Sequence, residues 1–317
     1  MKILIAGGAG FIGSHLCERL LKENHQVICV DNLLTGSQKN IDHLKNNKNF
    51  TFVNHDITQP LDYPEKIGAI FHLASPASPN HHSPLSYHAL SLETMLANTQ
   101  GTLELLKLAK KNQAKFLFAS SSEVYGDPLV SPQTESYLGN TSTIGPRSVY
   151  DEAKRFGETL TAYFWRRENV DARIARIFNT YGPRMLPEDK RMIVNFINQA
   201  LAGKPITIFG DGKQTRSLCY IDDLVEGLIR LLFFPKTKTQ VVNLGATNEY
   251  SVLEYAHLVK KLTASKSEII FSEKLPENDP KIRKPDITKA KQLLNWEPKI
   301  DLEQGLKKII NFYKKQK

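Results

Sequence analysis

Gly7-Gly8-Ala9-Gly10-Phe11-Ile12-Gly13 stands between a short apolar run, Lys2 to Ile5, and a helical pattern from Ile12 to Leu21. Glycines serve any tight turn, but a strand before them and a helix after them is the setting a dinucleotide-binding turn requires. Gly7 and Gly10 let the backbone turn and approach a pyrophosphate, and Gly13 lets helix and strand pack closely. The helix start, at Phe11 and Ile12, offers free N–H groups and positive dipole character to phosphate. The next apolar strand, Val27 to Val30, ends at Asp31. A carboxylate there accepts hydrogen bonds from a ribose and repels a 2′-phosphate, so NAD is expected rather than NADP. Asn32 follows it. Asp56 and Ile57, after the run Phe50–Val53, are expected at the adenine, and Leu73 and Ala74, after Ala69, at the cofactor as well.

Outward from this turn, short apolar strands alternate with helical patterns at Glu93–Lys111 and Ser148–Glu168, with a strand at Phe116–Ala119 between them. Buried runs alternating with helices imply parallel βαβ units. The expected fold class is α/β, a Rossmann-type doubly wound parallel sheet with a smaller C-terminal substrate-binding lobe. Residues 1–175 are read as the NAD-binding domain and 176–317 as a smaller lobe partly interleaved with it. In that second part, helices are expected at Met192–Ala202, Asp222–Phe233, Val252–Lys261, Ile287–Leu294 and Leu302–Tyr313, and strands at Ile206–Phe209 and Val241–Leu244.

Bulk properties narrow the class. The 317 residues can bury a large core, and 41% hydrophobic with 24% charged residues is ordinary for a globular protein. The formal net charge of +9 comes from lysines spread along the chain and thickening only from Lys307 to Lys317. No nucleic-acid-binding motif accompanies them, so no nucleic-acid partner is expected. The three cysteines, Cys17, Cys29 and Cys219, are widely separated and show neither metal-ligand nor disulfide spacing. No metal site is expected. Reduced thiols, no apolar run of membrane-spanning length and an N-terminus opening into a strand lead to the expectation of a cytoplasmic protein with no membrane partner.

Tyr150-Asp151-Glu152-Ala153-Lys154 places Tyr150 and Lys154 on one helix face, one turn apart. An ammonium beside a phenol favours the phenolate, so a lowered Tyr150 pKa is expected, and with it a base for a sugar hydroxyl. Upstream, Ala119-Ser120-Ser121-Ser122-Glu123 puts hydroxyls and a carboxylate at a strand's C-terminal end, where ligands bind in open α/β sheets. Glu123 alone could equally be a surface residue or a cap.

These stretches resemble the extended short-chain dehydrogenases/reductases over nearly the whole chain, and among them the UDP-glucuronate decarboxylases. The shared segments are HLASPASP (His72–Pro79), SSEVYGDP (Ser121–Pro128), IGPRSVYDEAKR (Ile144–Arg155), RIFNTYGPRM (Arg176–Met185), FGDGKQTRSLCYIDDLVEG (Phe209–Gly227) and NDPKIRKPDIT (Asn278–Thr288). The resemblance implies NAD-dependent conversion of UDP-glucuronate to UDP-xylose through a 4-keto sugar, with NAD regenerated in each cycle. It implies catalytic roles for Ser121, Glu123, Tyr150, Lys154 and Arg283, with Tyr150 and Lys154 also contacting the cofactor. It implies UDP-sugar contacts at Asn179, Arg184, Phe209, Gln214, Arg216 and Arg283. It also implies a homodimer through a four-helix bundle of Ser91–Lys111 and Ser148–Arg167, with Leu96, Leu103, Leu106, Leu160 and Phe164 facing either the partner or the sheet.

Two features depart from the family pattern. Ser121 stands where threonine is usual, which keeps the hydroxyl. Asn80–Ala97, rich in His and Ser and containing His81, His82, Tyr87 and His88, is longer than the pattern. Related activities fit less well. The 4,6-dehydratases carry Asp-Glu where this chain has Ser122-Glu123, and 4-epimerases usually lack the glutamate. A UDP-glucuronate 4-epimerase is the strongest enzymatic rival. An inactive NAD-binding sensor or scaffold typically loses the tyrosine or the lysine, and both are present.

Overall fold

In the computed structural model, which describes residues 1–273 and 282–316, seven parallel strands form the central sheet. The chain begins with β1 (Lys2–Ala6), α1 (Phe11–Lys22), β2 (Gln26–Asp31), β3 (Phe50–Asn54) and β4 (Ala69–His72). It continues through α2 (Ser91–Asn98), α3 (Gln100–Asn112), β5 (Lys115–Ser121), α4 (Ser148–Arg167) and β6 (Ala172–Ile177). The sheet order is β3-β2-β1-β4-β5-β6, extended at its far edge by β11 (Val241–Leu244), which pairs with β6. The order reverses between β1 and β4, so a crevice opens at their C-terminal ends, the binding place of doubly wound sheets.

The apolar runs form central strands because helices cover both faces of the sheet. Ile3 and Ile5 join one core cluster with Leu16 and Leu20 of α1 and Leu224 and Leu228 of α6 (Ile221–Phe233). Leu4, Ile28, Phe116 and Phe118 face the other way, onto Leu105, Leu106 and Phe164. The first cluster runs on without a break into the lobe. There β7 (Thr180–Tyr181) pairs with β10 (Cys219–Tyr220), β8 (Ile206–Phe209) with β13 (Ile269–Glu273), and β9 (Thr215–Ser217) with β12 (Glu249–Ser251). α5 (Met192–Leu201), α7 (Val252–Thr263), α8 (Thr288–Leu294) and α9 (Leu302–Lys314) pack on them. α6 and β11 follow residue 176 in sequence yet build the sheet layer.

One expectation needs correction. The helix read as continuous over Glu93–Lys111 is two helices, bending at Thr99 (φ −111°, ψ −76°), where Asn98 turns its amide to the Ser75 hydroxyl at 2.8 Å. Leu106 and Phe164 pack against the sheet, because their helix faces are the ones that cover it. Leu103 and Leu160 are half-buried beside them, while Leu96 is exposed. Asn278–Lys281 of the family-like tail lie outside the described residues.

Candidate active site

The glycine turn closes on itself as its sequence requires. Gly7 has φ +80°, and a Cβ on Gly13 would lie 2.1 Å from the Gly7 carbonyl oxygen. Gly10 caps α1 without any side-chain hydrogen bond, leaving the first helical N–H groups available to an anion. Asp31 accepts from the Ala9 N–H at 2.9 Å and the Leu33 N–H at 2.8 Å, which fixes its carboxylate at the edge of a cavity of about 280 Å³. Burial raises its pKa against those two bonds. Gly7, Gly10, Asn32, Asp56, Ile57, Leu73 and Ala74 line the same cavity. A helix N-terminus, a ribose-facing carboxylate with lone pairs to spare and an apolar slot at Ile57 fit a dinucleotide.

A second cavity, about 330 Å³, adjoins the first, and Leu73 and Ser75 line both. Phe11, Ile12, Ser121, Glu123, Tyr150, Lys154, Asn179, Phe209, Gln214 and Arg216 all line it. β5 brings Ser121 and Glu123 to the sheet's ligand edge, and α4 brings Tyr150 and Lys154. The two elements approach closely because Gly157 faces Phe118: a Cβ there would sit 2.3 Å from the ring. At that spacing Lys154 Nζ donates to the Ala119 carbonyl at 2.7 Å and lies 5.6 Å from the Tyr150 ring centroid.

The expected lowering of the Tyr150 pKa is not what this geometry gives. Burial pushes the phenol up to about 12, against a hydrogen bond with Ser121, and the ammonium is turned to Ala119. Burial also brings Lys154 down to about 7, against the opposing charge of Glu158. The lysine is therefore poised to gain or lose a proton near neutrality, and the tyrosine holds its own until further positive charge arrives.

Glu123 is held from two sides. Burial alone would raise its carboxyl, but Arg283 and Arg147 outweigh that and hold it well below the usual carboxylate range. Arg147 donates to Oε2, and Arg283 approaches both oxygens, at 3.1 and 3.2 Å. Arg283 is 2% exposed, also bonds the Ser122 hydroxyl and the Gly126 carbonyl, and does not line the cavity. It braces Glu123 from behind. Asp151 joins the cluster 4.0 Å from Arg147, and burial and the charge of Glu123 raise it to about 7.

Arg184 is, with Arg283, an expected substrate contact that does not line the cavity. It pairs with Glu18 of α1 and reaches His43, outside both cavities, because its backbone turns through φ +68° after Pro183. Of the His-rich stretch, His81 and Tyr87 line the sugar-side cavity, and His82 and His88 do not. Arg147, Lys190 and Arg191 line it and were not read from sequence. Arg147 lies three residues before Tyr150, at the cap of α4, and that position was the available signal.

A dinucleotide crevice opening onto a tyrosine–lysine pair defines the class, an extended short-chain dehydrogenase/reductase. The chain belongs to the NAD dependent epimerase/dehydratase family, whose sequence profile matches residues 3–245. NAD is the cofactor. The chain is 48% identical to UDP-glucuronic acid decarboxylase 1 of Xenopus tropicalis over 315 residues, covering 99% of this chain and 72% of that one. It is 48% identical to UDP-glucuronic acid decarboxylase 6 of Arabidopsis thaliana, covering 96% and 87%. Among solved structures, the UDP-glucuronic acid 4-epimerase of Bacillus cereus in complex with UDP-glucuronic acid and NAD superposes with a TM-score of 0.86. It is 31% identical, with all of both chains covered.

Proposed function

We propose that the protein converts UDP-glucuronate to UDP-xylose and carbon dioxide. The observation that carries this reading is 48% identity along nearly the whole chain to proteins named UDP-glucuronic acid decarboxylases, against 31% to the 4-epimerase of the same fold. The braced Glu123 at the mouth of β5, with serine rather than aspartate before it, agrees with it.

Bound NAD supplies a hydride acceptor, a positive charge and, after oxidation of the sugar, the hydride that is returned. The chain's own residues do the rest. Tyr150 takes the C4 hydroxyl proton as the C4–H bond breaks and gives it back at the end. Lys154 supplies the proton reserve behind it. The C4 ketone lies β to the C6 carboxylate, so carbon dioxide leaves with its bonding electrons passing into the carbonyl as an enolate. Ser121 and Tyr150 are the hydroxyl donors that stabilise that oxyanion. Glu123, kept ionised by Arg147 and Arg283, orients the C5 side, where the enolate carbon takes up a proton drawn from solvent water as the carbonyl re-forms. Arg216, Gln214 and Phe209 are assigned to the diphosphate and uridine, where a guanidinium fork suits phosphate oxygens. Asn179 is assigned to the nucleotide sugar.

The test is product analysis. Purified protein with UDP-glucuronate and NAD is expected to release carbon dioxide, form UDP-xylose and accumulate no NADH. UDP-galacturonate with its carboxylate retained would make the protein an epimerase.

The assembly and setting belong to the same proposal. α2 and α4 pack side by side and expose Leu92, Met95, Leu96, Phe156 and Tyr163, a face suited to the same helices of a second copy. Cys17, Cys29 and Cys219 are buried free thiols, which suits the cytoplasm. Among the described residues no helix is long and apolar enough to cross a membrane.

A further inference from the structure

Tyr87 is a buried tyrosine whose hydroxyl neither the packing nor the reaction above uses. It lies in the Asn80–Ala97 stretch, is 1% exposed, and lines the sugar-side cavity. Its ring stacks on that of Tyr150, with centroids 4.9 Å apart and planes 14° from parallel. The Arg147 guanidinium stands 5.8 Å from its centroid on the same site. Among the described residues its hydroxyl has no hydrogen-bond partner. An unpaired buried hydroxyl is destabilising, and phenylalanine would fill the same space without that cost, so the hydroxyl calls for a reason outside the folded chain.

The backbone around it is pinned rather than loose. Tyr87 N–H donates to the Ser78 carbonyl at 3.0 Å, and Ser86 N–H to the Ser83 carbonyl at 3.1 Å. The Ser78 and Ser83 hydroxyls donate to the carbonyls of Asp189 and Glu188 at 2.9 and 2.6 Å. The stretch is thereby stapled to the loop that carries Lys190 and Arg191 into the cavity. Burial keeps the phenol protonated, hence a donor, and the charges it feels are those of Arg147, Glu123, Asp151 and Tyr150. A neutral donor beside a guanidinium suits an anionic acceptor better than a sugar hydroxyl, because the charge strengthens the bond.

We propose that Tyr87 is a specificity-determining residue: its ring fixes the plane of Tyr150, and its hydroxyl donates to the C6 carboxylate of the nucleotide-linked uronate. This rests on the reading of the site as one for UDP-glucuronate. UDP-xylose lacks C6 and UDP lacks the sugar, so both are built-in controls.

The experiment compares the NAD-loaded wild type with Tyr87→Phe and Tyr87→Leu. For Tyr87→Phe, the KM for UDP-glucuronate is expected to rise about tenfold, the loss of one charge-assisted hydrogen bond. Inhibition constants for UDP-xylose and UDP stay at their wild-type values, and the melting temperature is equal or higher. Tyr87→Leu also removes the stack, so its kcat falls in addition. A Tyr87→Phe enzyme with wild-type KM overturns the assignment alone. Equal weakening for UDP-glucuronate, UDP-xylose and UDP overturns it too, since that is loosening of the whole cavity. A wild-type protein inert toward UDP-glucuronate overturns the functional reading and this assignment together.

Discussion

The dinucleotide crevice and the sugar cavity share a wall at Leu73 and Ser75, yet they are made of different material. The crevice is backbone: a glycine turn, a helix start and two N–H groups aimed at Asp31. The cavity is side chains, many of them charged and buried, assembled from β5, α4, the Asn80–Ala97 stretch and the lobe. Backbone sites are specified locally, because adjacent residues set adjacent torsions. Side-chain sites are specified by packing, because each group needs a partner from elsewhere to be buried at all. Damage should therefore show as lost binding or stability in the crevice and as lost rate or specificity in the cavity.

The largest expected effect is on the cavity side. Tyr150→Phe keeps the ring and its stack on Tyr87 but removes the group that moves the C4 proton. Turnover of UDP-glucuronate should fall by roughly 100-fold or more, with the melting temperature unchanged. Turnover within a few-fold of wild type, in a well-folded protein, would break the division between the two regions at its centre. Next comes Gly13→Ala on the crevice side. Its Cβ would meet the Gly7 carbonyl oxygen at 2.1 Å, and backbone cannot move aside as a side chain can. A stability loss of about 1–3 kcal/mol is expected, with NAD binding weakened in parallel. Denaturant unfolding and NAD titration measure the two. Unchanged values in both would show that the turn is softer than its geometry.

Asp31 sharpens the comparison, because it is a side chain serving a backbone site. Asp31→Ala with Asn32→Arg exchanges a repulsive charge for an attractive one at the 2′ position. The NADP-to-NAD affinity ratio should rise by roughly tenfold, equivalent to about 1.4 kcal/mol. Absolute NAD affinity should fall as well, since the Ala9 and Leu33 N–H groups lose their acceptor. A ratio that does not move would place cofactor choice elsewhere in the crevice.

How much of this was legible in the sequence follows the same division. The glycine turn, Asp31, Asp56 and the run of buried strands are contiguous signals, and the structure places every expected cofactor residue except Gly13 in direct line with the crevices; Gly13 closes the turn behind them. The break at Thr99 was not legible, since the apolar periodicity of Glu93–Lys111 continues through it and the cause, Asn98 bonding Ser75, is a contact between distant residues. The placement of Arg184 was hidden for a like reason. Only the fold shows Glu18 of α1 waiting for it. The tyrosine–lysine spacing was plain, whereas the direction of the Tyr150 shift depended on burial, which spacing does not report.

The last expected effect is the pH dependence that burial of charged groups imposes, chiefly on the cavity side. Lys154 is lowered from 10.5 to about 7, so between those values the unfolded chain binds more protons at this group than the folded one. Stability then rises with pH through that window, as the buried ammonium is relieved, and below pH 7 the full destabilisation is present. Asp151, raised from 3.8 to about 7, acts with the opposite slope: the folded state holds the proton longer, and stability falls as pH climbs through that range. Together the two groups subtract most near neutrality, and on the crevice side Asp31 adds a raised carboxyl of its own. Lys154→Met, measured by urea unfolding in nucleotide-free protein, should be more stable than wild type at pH 7, with the gap narrowing as pH approaches 10. A gap that stays constant over that range would mean that the lysine is not held as a strained charge, and that buried charge does not set the cavity apart from the crevice.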